Sequence, residues 1–253
     1  MDAAGVGMVV QPQGSREELR TVREGSKVAV IIPALNEEMA IRGVVAAIPA
    51  WVDDIIVVDN GSSDDTAAIA REAGARVIWE PQRGYGAACL VGIAALTDSD
   101  IVVFMDGDGS DVPPEMTLLV DPLIQGQADL VIGSRVLGAR EPGALTPQAR
   151  FGNWLACRLM QLFWGQRYTD LGPFRAIRHR SLLALNMQDR DYGWTVEMQV
   201  KAVRRGLRVI EAPVSYRRRL GTSTISGTWR GVMGAGVKIL YIIFREAFSR
   251  NSK

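Results

Sequence analysis

The chain has 253 residues, 47% hydrophobic and 23% charged, a composition that allows one large α/β domain or two small ones. Its two cysteines, Cys89 and Cys157, stand far apart in apolar or helical sequence, which argues against a disulfide framework or a zinc site. The single histidine, His179, lies in the basic segment IRHRS and has the character of a surface residue, which argues against a Ser-His-Asp mechanism.

The net charge of +1 conceals an uneven distribution. Residues 201–253 contain 12 Lys or Arg and 2 Asp or Glu, a net charge of +10, whereas the first 200 residues contain 17 basic and 26 acidic residues, a net charge of −9. A basic C-terminal quarter indicates an anionic partner such as a phosphate, a nucleic acid or an anionic membrane surface. A solvated basic face is the alternative.

The first 26 residues have no apolar periodicity and are predicted to form a flexible tail, in which SREELRTVREGS is able to form a short helix. They lack the basic start and long apolar core of a signal peptide, so we expect a cytoplasmic protein.

From Lys27 onwards, apolar runs rich in β-branched residues alternate with segments of helical spacing. Five runs are predicted strands: VAVIIP, DDIIVVD, RVIWE, DIVVF and ADLVIGSR. The segments between them, such as TAAIAREAG and AACLVGIAAL, are predicted helices. This alternation predicts a parallel sheet covered by helices on both faces, in which ligands bind beyond the carboxyl ends of the strands.

Polar clusters follow these predicted strands at their carboxyl ends. They are Asn36-Glu37, Asp59, Arg83, Asp106-Asp108 and Arg135. Each cluster alone has an ordinary interpretation as a helix cap, a turn or a surface charge. Five clusters at one edge of a sheet predict a binding site.

The acidic stretch FMDGDGSDVPPE runs from Phe104 to Glu115. On an extended chain, Asp106 and Asp108 project to the same side. Two carboxylates held together repel unless a cation lies between them, and hard oxygen ligands suit Mg²⁺ or Mn²⁺. The glycines allow a sharp turn and the approach of a bulky ligand. An acidic β-turn is the alternative.

Two common nucleotide-binding patterns are absent from the sequence. The segment Arg83-Gly84-Tyr85-Gly86 has Cys89 where a dinucleotide fingerprint needs its third glycine, and PALNEE, after the first strand, has no glycine. These features exclude a dehydrogenase. There is no Walker A sequence.

Taken in order, VIIPALNEE, IIVVDNGSSDDT, RGYGAA, the DGD segment and VIGSR resemble the family-2 glycosyltransferases, from about Val28 to Arg219. DLGPFRAI and YGWTVEMQVKAVRRGLRVIEAPVSYRRRLGTSTISGT resemble the polyprenyl- and dolichyl-phosphate sugar transferases of that family. Thr224 stands where those relatives commonly carry lysine. The resemblance implies an α/β GT-A-type fold, Rossmann-like with a mostly parallel sheet. Residues 27–135 would bind the nucleotide-sugar, residues 136–228 the acceptor, and residues 229–253 would form a basic amphipathic helix.

The resemblance also implies roles for individual residues. The residues that would line the donor's nucleotide pocket are Pro33, Ala34, Asn36, Glu37, Asp59, Arg83 and Gly84. Asp106, Gly107 and Asp108 would hold the diphosphate, with the two aspartates as ligands of the metal. Arg135 would lie near the sugar or phosphates, and Asp170 and Arg175 near the reacting centre. Arg217, Arg219 and Ser223 would reach a phosphate. Asp108, Arg135 and Asp170 are the predicted catalytic residues.

The predicted reaction is metal-dependent, inverting transfer of a sugar from a nucleotide-sugar to a polyprenyl phosphate. UDP-glucose is favoured as donor, with GDP-mannose next. A phosphate acceptor is mostly ionised at neutral pH, since its second pKa is ~6, and it needs cations but no strong base. A hydroxyl acceptor would need a carboxylate base, for which Asp170 and Glu197 are the candidates.

Other functions stay open at this point. One is a soluble glycosyltransferase with a small hydroxyl or glycan acceptor. Others are a nucleotidyltransferase, although PALNEE lacks the lysine and glycine usual there, and a sensor of sugar nucleotides without catalysis. We expect no nucleic-acid partner, and a homo-oligomer is compatible with the sequence.

Two helical segments bear on the acceptor. Phe151 to Gly165 is an apolar helix of the core or of the acceptor side. The C-terminal stretch GVMGAGVKILYIIFREAF is too short and interrupted to span a bilayer. Wound as a helix, it has one apolar face (Met233, Val237, Leu240, Phe244, Phe248) and another with Arg230, Lys238, Tyr241 and Arg245. This pattern predicts a helix that lies on a membrane surface or packs on the domain or a second subunit.

Overall fold

The computed structural model describes residues 25–221 and 229–248, so nearly all of the predicted N-terminal tail lies outside the described residues. The strands are β1 (Val28–Ala34), β2 (Asp54–Asp59), β3 (Arg76–Trp79), β4 (Ile101–Phe104), β5 (Leu130–Ser134), β6 (Arg175–Arg178) and β7 (Val209–Pro213). The helices are α1 (Ile41–Ala46), α2 (Thr66–Glu72), α3 (Tyr85–Ala94), α4 (Met116–Ile124), α5 (Pro147–Trp164), α6 (His179–Leu185), α7 (Trp194–Arg204) and α8 (Trp229–Phe248).

These strands form one sheet in the order β3-β2-β1-β4-β6-β5-β7. The pairings are parallel except those of β6, which runs antiparallel to both β4 and β5. The predicted α/β architecture is confirmed, and all five predicted strands are present. The sequence does not predict β6 and β7, because RAIR and VIEAP are short, carry charged residues and lack a clear alternation.

The sheet is buried on both faces because alternate side chains of each strand point to opposite sides. In β1, Ile31 packs into one core, while Val30 and Ile32 pack into the other. The first core lies under α3, α5, α7 and α8, and Trp194 meets Phe104 there edge to face, with ring centroids 4.6 Å apart. The second core lies under α1, α2 and α4. The helices therefore cover both faces of the central strands and leave the ends of those strands free to contact ligands.

Helix α5 has clear start and stop signals. The hydroxyl of Thr146 accepts a hydrogen bond from the backbone N–H of Ala149 at 3.2 Å, and Pro147 occupies the first turn. The helix ends at Gly165, whose φ of 74° is left-handed. Its 18 residues cross the core and reach the protein surface.

Helix α8 packs on α5 and α7 through a stripe that differs from the predicted apolar face. Ile242 and Ile243 are fully buried, whereas Val237, Phe244 and Phe248 of the predicted face are exposed. The predicted alternative of a packed helix is therefore correct, with an apolar surface left facing outward. Among the described residues, no helix is both long enough and apolar enough to cross a membrane.

Candidate active site

The turns after β1 and β2 form one hydrogen-bonded cluster at the carboxyl edge of the sheet. Ala34 pairs with Asp59 in the parallel ladder, and Pro33 precedes it, half-buried. The carboxylate of Asp59 accepts a hydrogen bond from the N–H of Ser62 at 3.0 Å. The hydroxyl of Ser62 accepts from the N–H of Asn36, also at 3.0 Å. The structure therefore brings together the predicted pocket residues of two neighbouring strands.

The turn at Arg83 and Gly84 joins this cluster through Asn60. The side-chain oxygen of Asn60 accepts a hydrogen bond from the N–H of Gly84 at 2.7 Å, and its amide group donates to the carbonyl of Gln82 at 2.7 Å. Arg83 reaches the carbonyl of Gly61 at 3.5 Å. Asn60 is buried and fixes the turn, a role that the sequence analysis missed.

The acidic turn after β4 is organised by its own carboxylates. Asp108 accepts hydrogen bonds from the N–H and the hydroxyl of Ser110, at 2.9 and 2.5 Å. Asp111 accepts from the N–H of Asp106 at 3.0 Å through one oxygen, and its other oxygen is buried without a hydrogen-bond partner in the described part of the chain. A buried carboxylate oxygen of this kind is able to accept a hydrogen bond from water or to contact a cation.

The pKa values of two carboxyl groups at this turn are also compatible with a bound cation. Burial, followed by the charge of Asp108, raises the pKa of Asp106 to about 7, although Arg135 and Arg219 oppose the shift. Burial likewise raises the pKa of Glu37 to about 7, with Arg219 opposing and Asp108 adding to the effect. In both groups burial outweighs the attraction of the arginines, and a bound cation would favour the ionised carboxylates.

The residues present fit a divalent cation. Asp106 and Asp108 supply the hard oxygen ligands that Mg²⁺ and Mn²⁺ prefer. Gly107 allows the turn to approach β1 closely, since a Cβ atom there would lie 3.3 Å from the Ile32 side chain. Among the described residues, no group of three or more His, Cys, Asp or Glu is arranged to hold a metal. A metal would therefore need oxygens of a bound ligand to complete its coordination.

The arginine-rich segment after β7 lies across the acidic turn. The N–H of Arg217 donates to the carbonyl of Ser110 at 2.8 Å, and the N–H of Leu220 donates to the carbonyl of Asp108 at 2.9 Å. These bonds hold Arg219 so that its guanidinium reaches the carboxylate of Glu37 at 2.6 Å. The side chain of Arg217 itself is exposed. The predicted Ser223, and Thr224, lie outside the described residues.

Arg135 is held by Asp170 in a two-pronged ion pair. Its Nε and Nη2 atoms donate to the two carboxylate oxygens of Asp170 at 2.8 and 2.7 Å, and its backbone N–H donates to the same carboxylate at 2.8 Å. The N–H of Leu171 donates a fourth hydrogen bond at 2.8 Å. Asp170 is fully buried, and three of these four hydrogen bonds join it to Arg135.

Arg175 lies in the core and does not line the cleft described below. It is fully buried, and its guanidinium donates to the carbonyl oxygens of Leu171, Gly172 and Thr195. Burial lowers its pKa to about 10. Its bonds are those of a residue that braces the backbone next to Asp170, and a ligand contact would require this network to open.

Glu197 is also fully buried. It accepts hydrogen bonds from the N–H groups of Gln188 and Asp189, and it pairs with Lys201 at 2.7 Å. It holds the loop before α7 and does not line the cleft described next. Neither candidate base, Asp170 or Glu197, lines this cleft.

A cleft of about 1640 Å³ runs from the acidic turn to α5 and α8. Its inner end is formed by Tyr85, Asp106, Asp108, Arg135 and Arg219. At this end the guanidinium of Arg135 also lies 5.0 Å from the centre of the Tyr216 ring, as in a cation–π contact. The carboxyl edge of the sheet therefore opens into a large cavity on the predicted acceptor side.

The outer part of the cleft is basic and apolar. Five further arginines line it, and in the described part of the chain their side chains form no ion pair: Arg140, Arg150, Arg158, Arg167 and Arg218. Phe151 and Trp154 of α5 lie at the same wall and are exposed, with ring centroids 5.9 Å apart. Unpaired cations beside aromatic rings suit an anion attached to an apolar group.

The sequence analysis missed these α5 arginines and Tyr216. The spacing of Arg150, Trp154 and Arg158 at every fourth residue is a signal that places them on one helix face. Tyr216 has no comparable signal, because its position depends on bridges to Asp111 and Arg140, which are distant in the sequence.

Comparisons with known proteins identify the family of this chain. The glycosyl transferase family 2 pattern matches residues 29–185. An uncharacterized glycosyltransferase of Mycobacterium bovis is 40% identical over 210 residues, covering 82% of this chain and 93% of the relative. The polyprenol monophosphomannose synthase of Mycolicibacterium smegmatis is 30% identical over 244 residues, covering 85% of this chain and 87% of the relative.

Among solved structures, a crystal structure of glucosyl-3-phosphoglycerate synthase from Mycobacterium tuberculosis aligns with a TM-score of 0.75. It is 24% identical, and the alignment covers 96% of this chain and 87% of that one. That crystal contains Mn²⁺, UDP-glucose and phosphoglyceric acid. At this identity the likeness establishes the fold, which agrees with the predicted GT-A architecture. The chain therefore belongs to glycosyl transferase family 2, is a glycosyltransferase, and resembles the polyprenyl-phosphate sugar transferases of that family.

Proposed function

We propose that this protein transfers a sugar, with inversion, from a nucleotide-sugar to the phosphate of a polyprenyl phosphate. UDP-glucose is the first candidate donor and GDP-mannose the second. The observation that carries the proposal is the continuous cleft, which begins at Asp106 and Asp108 and continues between unpaired arginines to the exposed aromatic rings of α5. Such a cleft matches an acceptor with an anionic head and an apolar chain.

The donor would bind over the carboxyl edge of the sheet. Its nucleotide would contact the cluster formed by Asn36, Asp59 and the turn at Arg83, and its diphosphate would lie at Asp106 and Asp108. A divalent cation at these two aspartates would neutralise charge that develops on the leaving diphosphate. Arg135 and Arg219 add positive charge at the same place, and a fixed Arg135 needs no reorganisation when that charge forms.

The acceptor phosphate would attack the opposite face of the sugar, which gives inversion. The second pKa of a phosphate monoester is ~6, so this nucleophile is ionised at neutral pH and needs no general base. The burial of Asp170 and Glu197, both occupied by other partners, supports an acceptor of this type over a hydroxyl acceptor. Arginines of the outer cleft would orient the acceptor phosphate toward the sugar and disfavour its other orientations.

The printed name of the mycobacterial relative, a polyprenol monophosphomannose synthase, supports the lipid-phosphate acceptor and keeps GDP-mannose as a donor candidate. The UDP-glucose bound to the structural neighbour supports the other donor. The two donors differ in base and sugar, so only direct assay separates them.

We also propose that the protein binds peripherally at the cytoplasmic face of a membrane, where polyprenyl phosphates are presented. Phe151, Trp154 and Leu162 of α5 and Phe244 and Phe248 of α8 are all exposed. Aromatic rings beside arginines are typical of surfaces that lie in the headgroup region of a bilayer.

A second candidate is a soluble transferase with a small phosphorylated acceptor. The unpaired arginines of the cleft would hold such a molecule equally well, and the structural neighbour was crystallised with phosphoglyceric acid. This candidate gives no role to the exposed rings of α5.

The test is release of nucleoside diphosphate with Mg²⁺ or Mn²⁺ from UDP-glucose, UDP-galactose, UDP-N-acetylglucosamine or GDP-mannose. Each donor is assayed alone, with a short polyprenyl phosphate, and with phosphoglyceric acid. We expect release that depends on the lipid phosphate. Release that depends on phosphoglyceric acid would establish the second candidate, and no release with any pair would contradict both.

A further inference from the structure

The loop from Asp189 to Gly193 lies between the C-terminal helix α8 and the start of α3. On one side it contacts the turn that begins α3, which the proposed function assigns to the donor pocket. On the other side it contacts α8, whose outer face is exposed. The loop therefore connects the protein surface to the donor pocket over a short distance.

The contact with α3 is made by backbone atoms on both sides. The N–H of Ala87 donates to the carbonyl of Arg190 at 2.9 Å, and the N–H of Gly86 donates to the carbonyl of Asp191 at 3.3 Å. A Cβ atom at Gly84 would overlap the carbonyl of Arg190, and one at Gly86 would overlap the backbone of Asp189. Glycines at these positions allow the close contact, so a shift of the loop moves the turn with it.

The contact with α8 has one charged and one apolar part. Lys238 donates to the carboxylate of Asp189 at 3.0 Å and lies 3.6 Å from that of Asp191. Next to it, Ile242 packs so closely that a Cβ atom at Gly193 would lie 2.7 Å from its side chain. The loop is thus held between α3 and α8.

Asp189 connects this loop to α8 and also stabilises the loop itself. Its Oδ1 atom accepts hydrogen bonds from the N–H groups of Asp191 and Gly193, at 2.9 and 3.1 Å, while Lys238 approaches its Oδ2 atom. Asp189 is only 4% exposed, so removal of Lys238 would leave a buried carboxylate without its cationic partner. Hydrogen bonding to Asp189 raises the pKa of Lys238, which keeps the lysine charged.

We propose that Lys238 is a positioning residue for the donor: by holding Asp189 and Asp191, it fixes the loop that sets the turn from Arg83 to Gly86. The inference rests on the proposed function, because that function assigns the turn to the donor pocket. It gives α8 a role besides packing, since displacement of the helix would loosen the donor pocket. Small displacements of groups that orient a substrate have large effects on rate.

The test compares Lys238→Met, which keeps the aliphatic stem, with Lys238→Arg, which keeps the charge. Arg42→Met is the matched control, because Arg42 forms an exposed ion pair with Glu72 at 2.6 Å and does not contact the loop. Two readouts are measured on the full chain with Mn²⁺ present. The first is hydrogen exchange at the amides of Gly86 and Ala87, and the second is the dissociation constant for UDP and for GDP.

We expect Lys238→Met to speed exchange at these two amides and to weaken binding of the preferred nucleotide by about two- to tenfold. Lys238→Arg should restore both, and the KM for the acceptor should not change. If Lys238→Met exchanges these amides no faster than Arg42→Met, then Lys238 does not hold the loop against α3. If exchange is faster but nucleotide affinity is unchanged, then Lys238 does not position the donor. If the wild-type protein binds neither nucleotide, the proposed function and the donor role fail together, while the exchange data still report whether Lys238 holds the turn.

Discussion

Arg219 and Glu37 form an ion pair of 2.6 Å although they stand 182 residues apart in the chain. A second nitrogen of the same guanidinium lies 3.6 Å from the carboxylate of Asp108. The arginine therefore connects the turn after β1, the acidic turn after β4 and the segment after β7. It supplies positive charge to Asp108, which is proposed to bind the metal, and to Glu37, which is proposed to line the nucleotide pocket.

This arrangement predicts a pH dependence of stability in the metal-free protein. Burial raises the pKa of Glu37 in the folded state to about 7, above the value of 4.5 that it has when unfolded. Between these two pH values the folded state binds more protons than the unfolded state, so the free energy of unfolding falls as pH rises. Glu37→Gln removes this contribution. We expect its melting temperature to fall less than that of the wild type from pH 5 to pH 7.5, by about 2–4 °C.

The measurement is thermal unfolding with chelator at both pH values. Glu38→Gln is the control, because Glu38 is the exposed neighbour on the same turn. Identical pH slopes for Glu37→Gln and the wild type would show that Glu37 does not titrate as described.

The acidic turn gives the most direct test of the metal assignment. Asp108→Asn keeps an oxygen that can accept the hydrogen bonds of Ser110, and Asp108→Ala removes it. We expect both to lower kcat by about 10²-fold or more, because stabilisation of the leaving group is lost. Asp65→Asn, an exposed aspartate at the start of α2, is the control. Turnover of Asp108→Ala close to that of the wild type would rule out Asp108 as a metal ligand.

The sequence predicts well which polar residues lie at the carboxyl edge of the sheet, because the ends of neighbouring parallel strands meet at one edge. Asn36 and Asp106 follow such strands, Asp59 ends one, and all three lie at that edge as expected. Their partners are harder to predict. Arg175 lies in DLGPFRAI, a segment that also resembles the family, yet its guanidinium bonds to backbone carbonyls inside the core. Sequence alone does not distinguish an arginine that binds a ligand from one that binds the main chain.

Helix α8 shows a second limit of prediction from sequence. Its sequence contains two apolar stripes, and a helical projection cannot tell which of them faces the protein. The acidic partners of Lys238 and Arg245 are Asp189 and Glu197, about 50 residues earlier in the chain. These pairings turn the basic residues inward and leave Phe244 and Phe248 outside.

The ion pair between Arg135 and Asp170 predicts strongly non-additive kinetics. Arg135→Lys keeps a charge but loses the two-pronged bond, and we expect kcat to fall by about 10- to 100-fold. If Asp170 acts only by holding Arg135, then Asp170→Asn in an Arg135→Met background should cost little further activity. The measurement is a double-mutant cycle on kcat, with circular dichroism to confirm folding. Additive losses would instead show that Asp170 has a role of its own, such as that of a base.

Membrane binding is best tested by point variants and not by truncation. Removal of residues 230–253 would also remove Ile242 and Ile243 from the core, so loss of binding could reflect unfolding. Phe244 and Phe248 stack on each other at 6.3 Å and are 41% and 75% exposed, so serine at both positions removes apolar surface. Both rings also contact Phe163 of α5 edge to face, at 5.8 and 6.1 Å, so circular dichroism must confirm that the double variant folds. Trp79→Ser is the matched control, because Trp79 is 64% exposed on the edge strand β3.

We expect the double variant Phe244→Ser/Phe248→Ser to sediment with anionic liposomes at least about fivefold less than the wild type, since each buried ring contributes about 1.5–3 kcal/mol of transfer energy. Trp154→Ser on α5 should act in the same direction. If the surface instead contacts a second copy of the chain, the double variant will sediment with liposomes like the wild type but will dissociate in sedimentation velocity. Equal loss in Trp79→Ser would show that binding depends on general surface hydrophobicity and would contradict a specific membrane face formed by α5 and α8.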